Sequence, residues 1–333
     1  MSGVRFQKIA IVGAGAIGGW IGVHLARTGA HLSALARGNT LAALQKNGLQ
    51  LQQGDTLHTV PVTASNDAAQ LGVQDLVVIA VKAPALATVA QQIGPLLGPH
   101  TVVLTAMNGV PWWFLQGFGG PVQDRALTTI DPEGAIARAI PAAHLVGCVV
   151  HASCSVDAPG VVRHHFGDGL IVGEPSGQSS ARAQALVALL QAAGFNATLS
   201  PQIQKDIWYK LWGNMTVNPI SAITGATSDR LLDDDLVRGF MSSVMLEAKA
   251  IGERIGIPIA QAPEDRHAVT RKLGAFRTSM LQDVQAGRPV ELDALVSAVR
   301  ELGALTGVAT PFTDALLGLS RLHARVLGLY PPQ

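Results

Sequence analysis

Lys210, Asn214 and Asn218 recur at i, i+4 and i+8 within residues 208–219, a spacing that lines one stripe of a helix. Around them stand Trp208, Leu211, Trp212, Met215 and Val217, all suited to burial. An ammonium and two amides on an otherwise apolar helix cost free energy unless they find partners. The stripe is therefore expected to face a ligand cleft, with a satisfied internal polar network as the competing reading. Its chemistry suits a 2-keto acid. When hydride reaches a ketone carbon, negative charge grows on the oxygen, and a lysine can stabilise that charge and give the proton. Asparagine amides donate to carboxylate or carbonyl oxygens without adding charge. Pro219 is expected to bend or end the helix just after Asn218.

A hydride donor has an expected home near the N-terminus. Gly13-x-Gly15-x-x-Gly18 ends an apolar strand and opens a helix, the context in which this glycine pattern binds a nicotinamide dinucleotide. The first glycine permits a tight turn, and the second lets backbone approach the pyrophosphate. The third lets helix pack close to strand, while the helix N-terminus, with Ala16 and Ile17, favours phosphate charge. The second strand ends Ala34-Leu35-Ala36-Arg37, and the first acidic residue of the chain is Asp55. A carboxylate at that strand end would repel a 2′-phosphate, whereas an arginine can bind one by paired, charge-assisted hydrogen bonds. The pattern points to NADP(H), against Arg37 as an ordinary surface residue. Lys82 and Asn108-Gly109 follow two further strands, at ends where open α/β sheets bind ligands. Lys82 reads either as a partner of phosphate or ribose or as a solvated lysine. Asn108 reads either as a bridge between nicotinamide and substrate or as an Asn-Gly turn.

The elements that must position these groups read as an α/β fold. It has an N-terminal Rossmann-type dinucleotide-binding domain, residues 1–200, and a mainly α-helical C-terminal domain, residues 201–333. Strands are expected at 8–12, 31–36, 75–81 and 101–106, alternating with helices at 20–28 and 86–97, hence a parallel sheet wound on both faces. Residues 13–19 read as a turn. Residues 48–62 read as a hairpin insert turning at Gly54-Asp55. Strands at 145–156, 161–166 and 170–172, joined at Pro159-Gly160 and at 167–169, extend the sheet, and a helix follows at 181–193. With 48% hydrophobic and 14% charged residues, a compact, largely buried protein is expected rather than a disordered one. A net charge of +1, with scattered bases, argues against nucleic acid or a membrane surface as partner. Cys148 and Cys154 match no zinc or redox spacing, so no metal is expected. They read as packing residues of a reduced, cytoplasmic protein. The apolar C-terminal half is compatible with a homodimer.

A second polar segment is Ser279-Met280-Leu281-Gln282-Asp283, followed by Gly287-Arg288-Pro289-Val290-Glu291. Residues 287–289 read as a loop, with Glu291 near the start of the next helix. Spacing alone leaves Glu291 as helix electrostatics and Ser279 as a surface hydroxyl. Together with the glycine loop, Val81-Lys82-Ala83, Met107-Asn108-Gly109 and Lys210-x3-Asn214-x3-Asn218-Pro219, this segment resembles the ketopantoate reductases (2-dehydropantoate 2-reductases), in the family's order and over nearly the whole chain. The resemblance implies NADPH-dependent reduction of 2-dehydropantoate to pantoate, a step of pantothenate biosynthesis. It implies that Lys210 is the general acid and that Glu291 bonds the hydroxyl side of the substrate. Asn214, Asn218 and Ser279 would hold substrate, with Asn108 and Lys82 near nicotinamide and ribose.

The chain also departs from that pattern. Phe276 stands where some members have a substrate-contacting asparagine, and Ser228 replaces another. Glu291 continues into Leu292-Asp293-Ala294-Leu295-Val296, and Asn108-Gly109 runs into Pro111-Trp112-Trp113-Phe114. The aromatic run reads either as core or as the wall of an acyl pocket. Two other functions stay open on these residues. One is a reductase of another branched or bulky 2-keto acid. The other is a non-catalytic NADP(H)-binding regulator, for which retention of Lys210 and Glu291 has no use.

Overall fold

A computed structural model describes residues 4–332. The chain forms two compact units: the first runs to Met107 and resumes at Gly134–Ile203, and the second comprises Asn108–Glu133 and everything from Gln204 onward.

The first unit is built on one sheet of ten strands. These are β1 (Lys8–Val12), β2 (His31–Leu35), β3 (Leu49–Gln53), β4 (Thr56–Val60), β5 (Thr63–Ser65), β6 (Leu76–Ile79), β7 (Val102–Thr105), β8 (Leu145–Ala158), β9 (Val161–Gly173) and β10 (Asn196–Leu199). The order is β4-β3-β9-β8-β7-β6-β1-β2-β5, with β10 paired to β9. Strand β1 pairs in parallel with β2 on one side and β6 on the other. The chain thus leaves β1 in one direction and returns in the other, which creates a switch point at the carboxyl ends of β1 and β6. Helices α1 (Ala16–Ala26), α2 (Gly38–Asn47), α3 (Ala68–Leu71), α4 (Leu86–Gln92), α5 (Ala135–Ala139) and α6 (Ala181–Ala192) accompany the sheet. Ile9, Ile11, Val78 and Leu104 share a core with Trp20, Ile21 and Leu25 of α1. Strands covered on both faces carry continuous apolar runs, as the sequence shows at β1, β6 and β7.

Several expectations change. The first helix starts at Ala16, not Trp20, so residues 16–19 belong to it rather than to a turn. Residues 167–169 form no turn. They lie inside β9, where shifts in its register with β8 between His151 and Ser153 absorb the glycines. The helix expected at 86–97 stops at Gln92, and a 3-10 turn at Gly94–Leu96 replaces its end because Pro95 follows Gly94. The hairpin at 48–62 is present, Gln53 pairing with Thr56 across Gly54-Asp55.

The second unit is helical: α7 (Ile203–Thr224), α8 (Ser228–Asp233), α9 (Asp235–Arg254), α10 (Pro263–Arg271), α11 (Ser279–Gln285), α12 (Ala298–Thr306) and α13 (Pro311–Val326), with one π-helical turn at Asp293–Ser297. A single break near residue 200 misses one exchange, since Asn108–Glu133 leaves the sheet unit for the helical one. Trp112, Trp113 and Phe114 are buried there, with the Phe114 ring 5.9 Å from that of Trp208. The aromatic run is core. Helix α7 does not end at Asn218 but passes through Pro219 to Thr224, at the expense of the one hydrogen bond a proline nitrogen cannot donate. Burial of Trp212, Met215 and Ile220 around the break, and the 2.7 Å bond from Trp212 Nε1 to Met245 O, hold it in place. Among the described residues no helix is long and apolar enough to cross a membrane.

Candidate active site

At the switch point of the first unit lies a cleft of about 440 Å³, lined among others by Gly13, Gly15, Arg37, Thr40, Asn66 and Gln92. Gly13 ends β1 at φ +95°, and a Cβ there would press to 2.7 Å from Val81 Cγ1. Gly18 lies one turn into α1, where any Cβ would collide with the Gly13 carbonyl oxygen. Both glycines are demanded by the packing itself. Gly15 differs: it precedes α1 without a side-chain cap, and a Cβ there would meet nothing within 4 Å. It keeps open the space in front of the amides that begin with Ala16 and Ile17, a cradle for phosphate. Gly13, Gly15 and Arg37 share the cleft, while Gly18 is buried and supports it.

Arg37 closes the turn after β2 at the start of α2. Its side chain is exposed, and its guanidinium has no protein partner among the described residues. No carboxylate lines the cleft. An anion is the ligand this lining fits. Thr40, Asn66 and Gln92 escaped the reading of the sequence. Thr40 was legible, three residues past Arg37 in the first turn of α2, but Asn66 follows the short strand β5, which composition did not announce. Lys82 is half-buried and precedes the 3-10 turn Ala83–Ala85.

In the second unit Lys210 Nζ donates a 2.8 Å hydrogen bond to Asn108 Oδ1. The residue after Asn108, Gly109, has φ +80°, and a Cβ there would reach 2.5 Å from Ala294 O. Val110 N donates to the same oxygen at 2.8 Å. Asn108 is thus fastened to the π-helical turn, three residues beyond Glu291, which is 8% exposed. One more restraint fixes that turn: Asp293 Oδ1 accepts from Tyr330 Oη at 2.6 Å and from Ser297 Oγ at 3.1 Å. Burial first, and then this bond, push the Tyr330 phenol up to about 12, so it stays a donor.

The two asparagines of α7 differ in exposure. Asn214 is half-buried and Asn218 only 7% exposed, and neither amide has a protein partner among the described residues. A satisfied internal network is therefore not what they form. Ser279 opens α11 with an exposed hydroxyl, and Thr278 caps the helix by accepting from Leu281 N at 3.1 Å. Ser228 does other work: its Oγ donates to Gly274 O at 2.9 Å and accepts from Phe276 N at 3.2 Å. Arg266, which no pattern announced, lies with its guanidinium carbon 5.7 Å from the centre of the Tyr209 ring. Its buried Nε has no hydrogen-bond partner, and burial lowers its pKa.

Comparison with known proteins adds relatives. Residues 9–177 match the family described as ketopantoate reductase PanE/ApbA, and residues 202–324 match its C-terminal counterpart. A curated 2-dehydropantoate 2-reductase of Mesorhizobium japonicum is 46% identical over 97% of this chain and 100% of its own length. A crystal structure from Ralstonia solanacearum MolK2, provisionally named a ketopantoate reductase, is 56% identical with a TM-score of 0.95, covering 98% of this chain and 100% of that one. A D-mandelate dehydrogenase at 22% identity and TM-score 0.83, with 97% and 99% covered, shares the fold. Matched in both halves and aligned over nearly its full length, the chain belongs to the ketopantoate reductase family.

Proposed function

We propose that this chain reduces 2-dehydropantoate to pantoate with NADPH, and that Lys210 is the general acid. The observation that carries the reading is the Lys210–Asn108 hydrogen bond beside two amides without protein partners. The cradle fits the cofactor. Gly13, Gly15 and the amides from Ala16 and Ile17 would hold its pyrophosphate, with Gly18 allowing helix and strand to approach. Arg37 would take the 2′-phosphate, and Lys82 a ribose or phosphate oxygen. When bound, the reduced nicotinamide supplies a hydride for the keto carbon. The chain does the rest. Lys210 Nζ gives its proton to the oxygen on which charge develops. Asn108 steers that ammonium through Oδ1 and keeps Nδ2 for a ligand. Asn214, Asn218 and Ser279 bind carboxylate and carbonyl oxygens, and Glu291 accepts from the substrate hydroxyl. Residues 1–200 would supply the cofactor domain and 201–333 the catalytic one, with Asn108–Glu133 counted with the latter. Cys148 and Cys154 are free thiols, and burial pushes Cys154 up to about 12.

One observation favours a different acyl group. The Ser228 hydroxyl is spent on the Gly274–Phe276 loop, so it is not free for the substrate as an asparagine there would be. Steady-state NADPH oxidation across 2-dehydropantoate and bulkier 2-keto acids decides. The highest kcat/KM is expected for 2-dehydropantoate. A bulkier acid turned over far faster would replace the substrate, and no turnover of any would leave a cofactor-binding regulator.

A further inference from the structure

Arg266 of α10 carries a charge that the fold neither pairs nor leaves fully in water. The residue is half-buried, and its Nε is sealed off without a hydrogen-bond partner. Among the described residues its guanidinium meets no carboxylate, only the Tyr209 ring, 5.7 Å from the guanidinium carbon. A cation over an aromatic face recovers only part of what a buried, unpaired charge loses. The place is nevertheless kept for it. Gly213 of α7 is buried, and a Cβ there would lie 2.7 Å from Nε and Nη2 and 2.8 Å from Cζ. The missing side chain at 213 is thus the slot in which the guanidinium rests. A helix interior otherwise disfavours glycine. The terminal nitrogens are not sealed, and they bond nothing among the described residues. One edge of the fork stays open.

We propose that Arg266 binds the carboxylate of the 2-keto acid, which rests on the reading of Lys210 as the acid that serves the keto oxygen. At 3.6 residues per turn, position 213 lies about 60° round α7 and about 4.5 Å along it from Lys210, with Asn214 about 40° to the other side. Residues three apart are neighbours on a helix surface. A guanidinium that fills the place of a side chain at 213 is therefore the neighbour of Lys210, and Lys210 stands between it and the Asn214 amide. A 2-keto acid has the matching form. Its carboxylate is bonded directly to its keto carbon, so the fixed anion and the developing oxyanion call for two cations side by side. With the keto oxygen on Lys210, the carboxylate takes the open edge of Arg266, where the terminal N–H groups donate charge-assisted hydrogen bonds. The ligand then supplies the counter-charge that the fold withholds. The neighbouring bases are otherwise engaged. Arg238 and Arg271 donate to Leu232 O, and Arg271 also pairs with Asp233. His267 is buried with Nε2 2.9 Å from Ser242 Oγ.

Calorimetric titration of the full chain with NADP+ bound tests the proposal. Pantoate and its uncharged primary amide are the probes, and circular dichroism is the check on folding. Arg266→Met is expected to bind pantoate about tenfold or more weakly than the parent, with affinity for the amide held within about twofold and affinity for NADPH unchanged. In steady state its KM for 2-dehydropantoate should rise by a similar factor, and Arg266→Lys should recover part of the loss. Gly213→Ala should fold with an unchanged or higher thermal midpoint, yet bind pantoate severalfold more weakly because its Cβ displaces the guanidinium. A folded Arg266→Met chain that binds pantoate as the parent does, or that loses acid and amide equally, would overturn the assignment. A parent that neither binds pantoate nor turns over 2-dehydropantoate would remove the substrate reading instead. Oxamate, a minimal carboxylate with an adjacent carbonyl, then judges Arg266: a parent that binds it no more tightly than Arg266→Met does would overturn the proposal by itself.

Discussion

Lys210 Nζ and Asn108 Oδ1 lie 2.8 Å apart although 102 positions separate them in the chain. An ammonium can only donate, so the amide must turn its oxygen to Lys210 and its NH2 outward. The lysine is thereby held in one place. Lys210→Met is expected to lower kcat about a hundredfold or more, as for loss of a positioned acid, with far less effect on the affinity for NADPH. Stopped-flow single turnovers beside a cofactor titration check this. A near-normal kcat would remove Lys210 from the chemistry.

Asn108→Ala keeps the acid but frees it. A drop in kcat of about tenfold is expected, the scale of one lost hydrogen bond to a charged group. In the double variant with Lys210→Met the two losses should not add, because they act on one ammonium. Full additivity in the cycle would mean that Asn108 works through something other than Lys210.

Arg37 faces a cleft without carboxylates and has no protein partner among the described residues. Arg37→Ala should weaken NADPH binding by about ten- to a hundredfold, the worth of charge-assisted bonds to phosphate, and leave NADH binding unchanged. The effect should shrink at high salt, since the guanidinium is exposed. Fluorescence titrations with both cofactors measure it. Equal losses for NADPH and NADH would end the case for a 2′-phosphate contact.

These sites were not equally legible in the sequence. The stripe Lys210, Asn214 and Asn218 could be read because a helix has one period and tryptophans mark its buried face. The cradle could be read because Gly13 and Gly18 are forced by contacts local to β1, α1 and β6. What escaped depends on distant chain. That Asn108 belongs with the helices rests on Gly109 and Val110 docking on Ala294, and nothing near residue 108 announces residue 294. Continuation of α7 past Pro219 rests on tertiary burial that outweighs one missing hydrogen bond. The role of Ser228 as a tie to Gly274 and Phe276 spans 46 and 48 residues, beyond any local pattern.

Gly15 and Gly18 separate binding from folding. At Gly18 a Cβ collides with backbone, whereas at Gly15 it meets nothing within 4 Å. Gly15→Ala should therefore fold with an unchanged thermal midpoint and still bind NADPH at least tenfold more weakly, roughly the 1.4 kcal/mol of a phosphate kept from its amides. Gly18→Ala should lose stability by about 1–3 kcal/mol, the range for overpacking. Thermal melts with and without cofactor distinguish them. A Gly15→Ala chain with full affinity would show that the phosphates lie elsewhere.

Glu301 of α12 holds the crossing segment in the helical unit. Its Oε1 accepts from Thr128 N and Oγ1, both at 2.8 Å, and its Oε2 accepts from Thr129 N at 2.9 Å. Burial alone would raise its pKa, but the hydrogen bonds from Thr129 and Thr128 together outweigh it and hold the carboxyl below the ordinary 4.5. A carboxyl depressed in the folded state binds fewer protons there than in the unfolded chain. Its contribution is thus fully present above pH 4.5 and is lost as pH falls through the lower, folded value. Glu301→Gln should cost about 1 kcal/mol at neutral pH, at the low end for charge-assisted bonds because the site is partly solvated. Urea melts at pH 7 and at progressively lower pH should show the gap between the two chains closing only below pH 4.5. A gap that held constant into the acid range would mean that the charge on Glu301 does not secure Thr128 and Thr129.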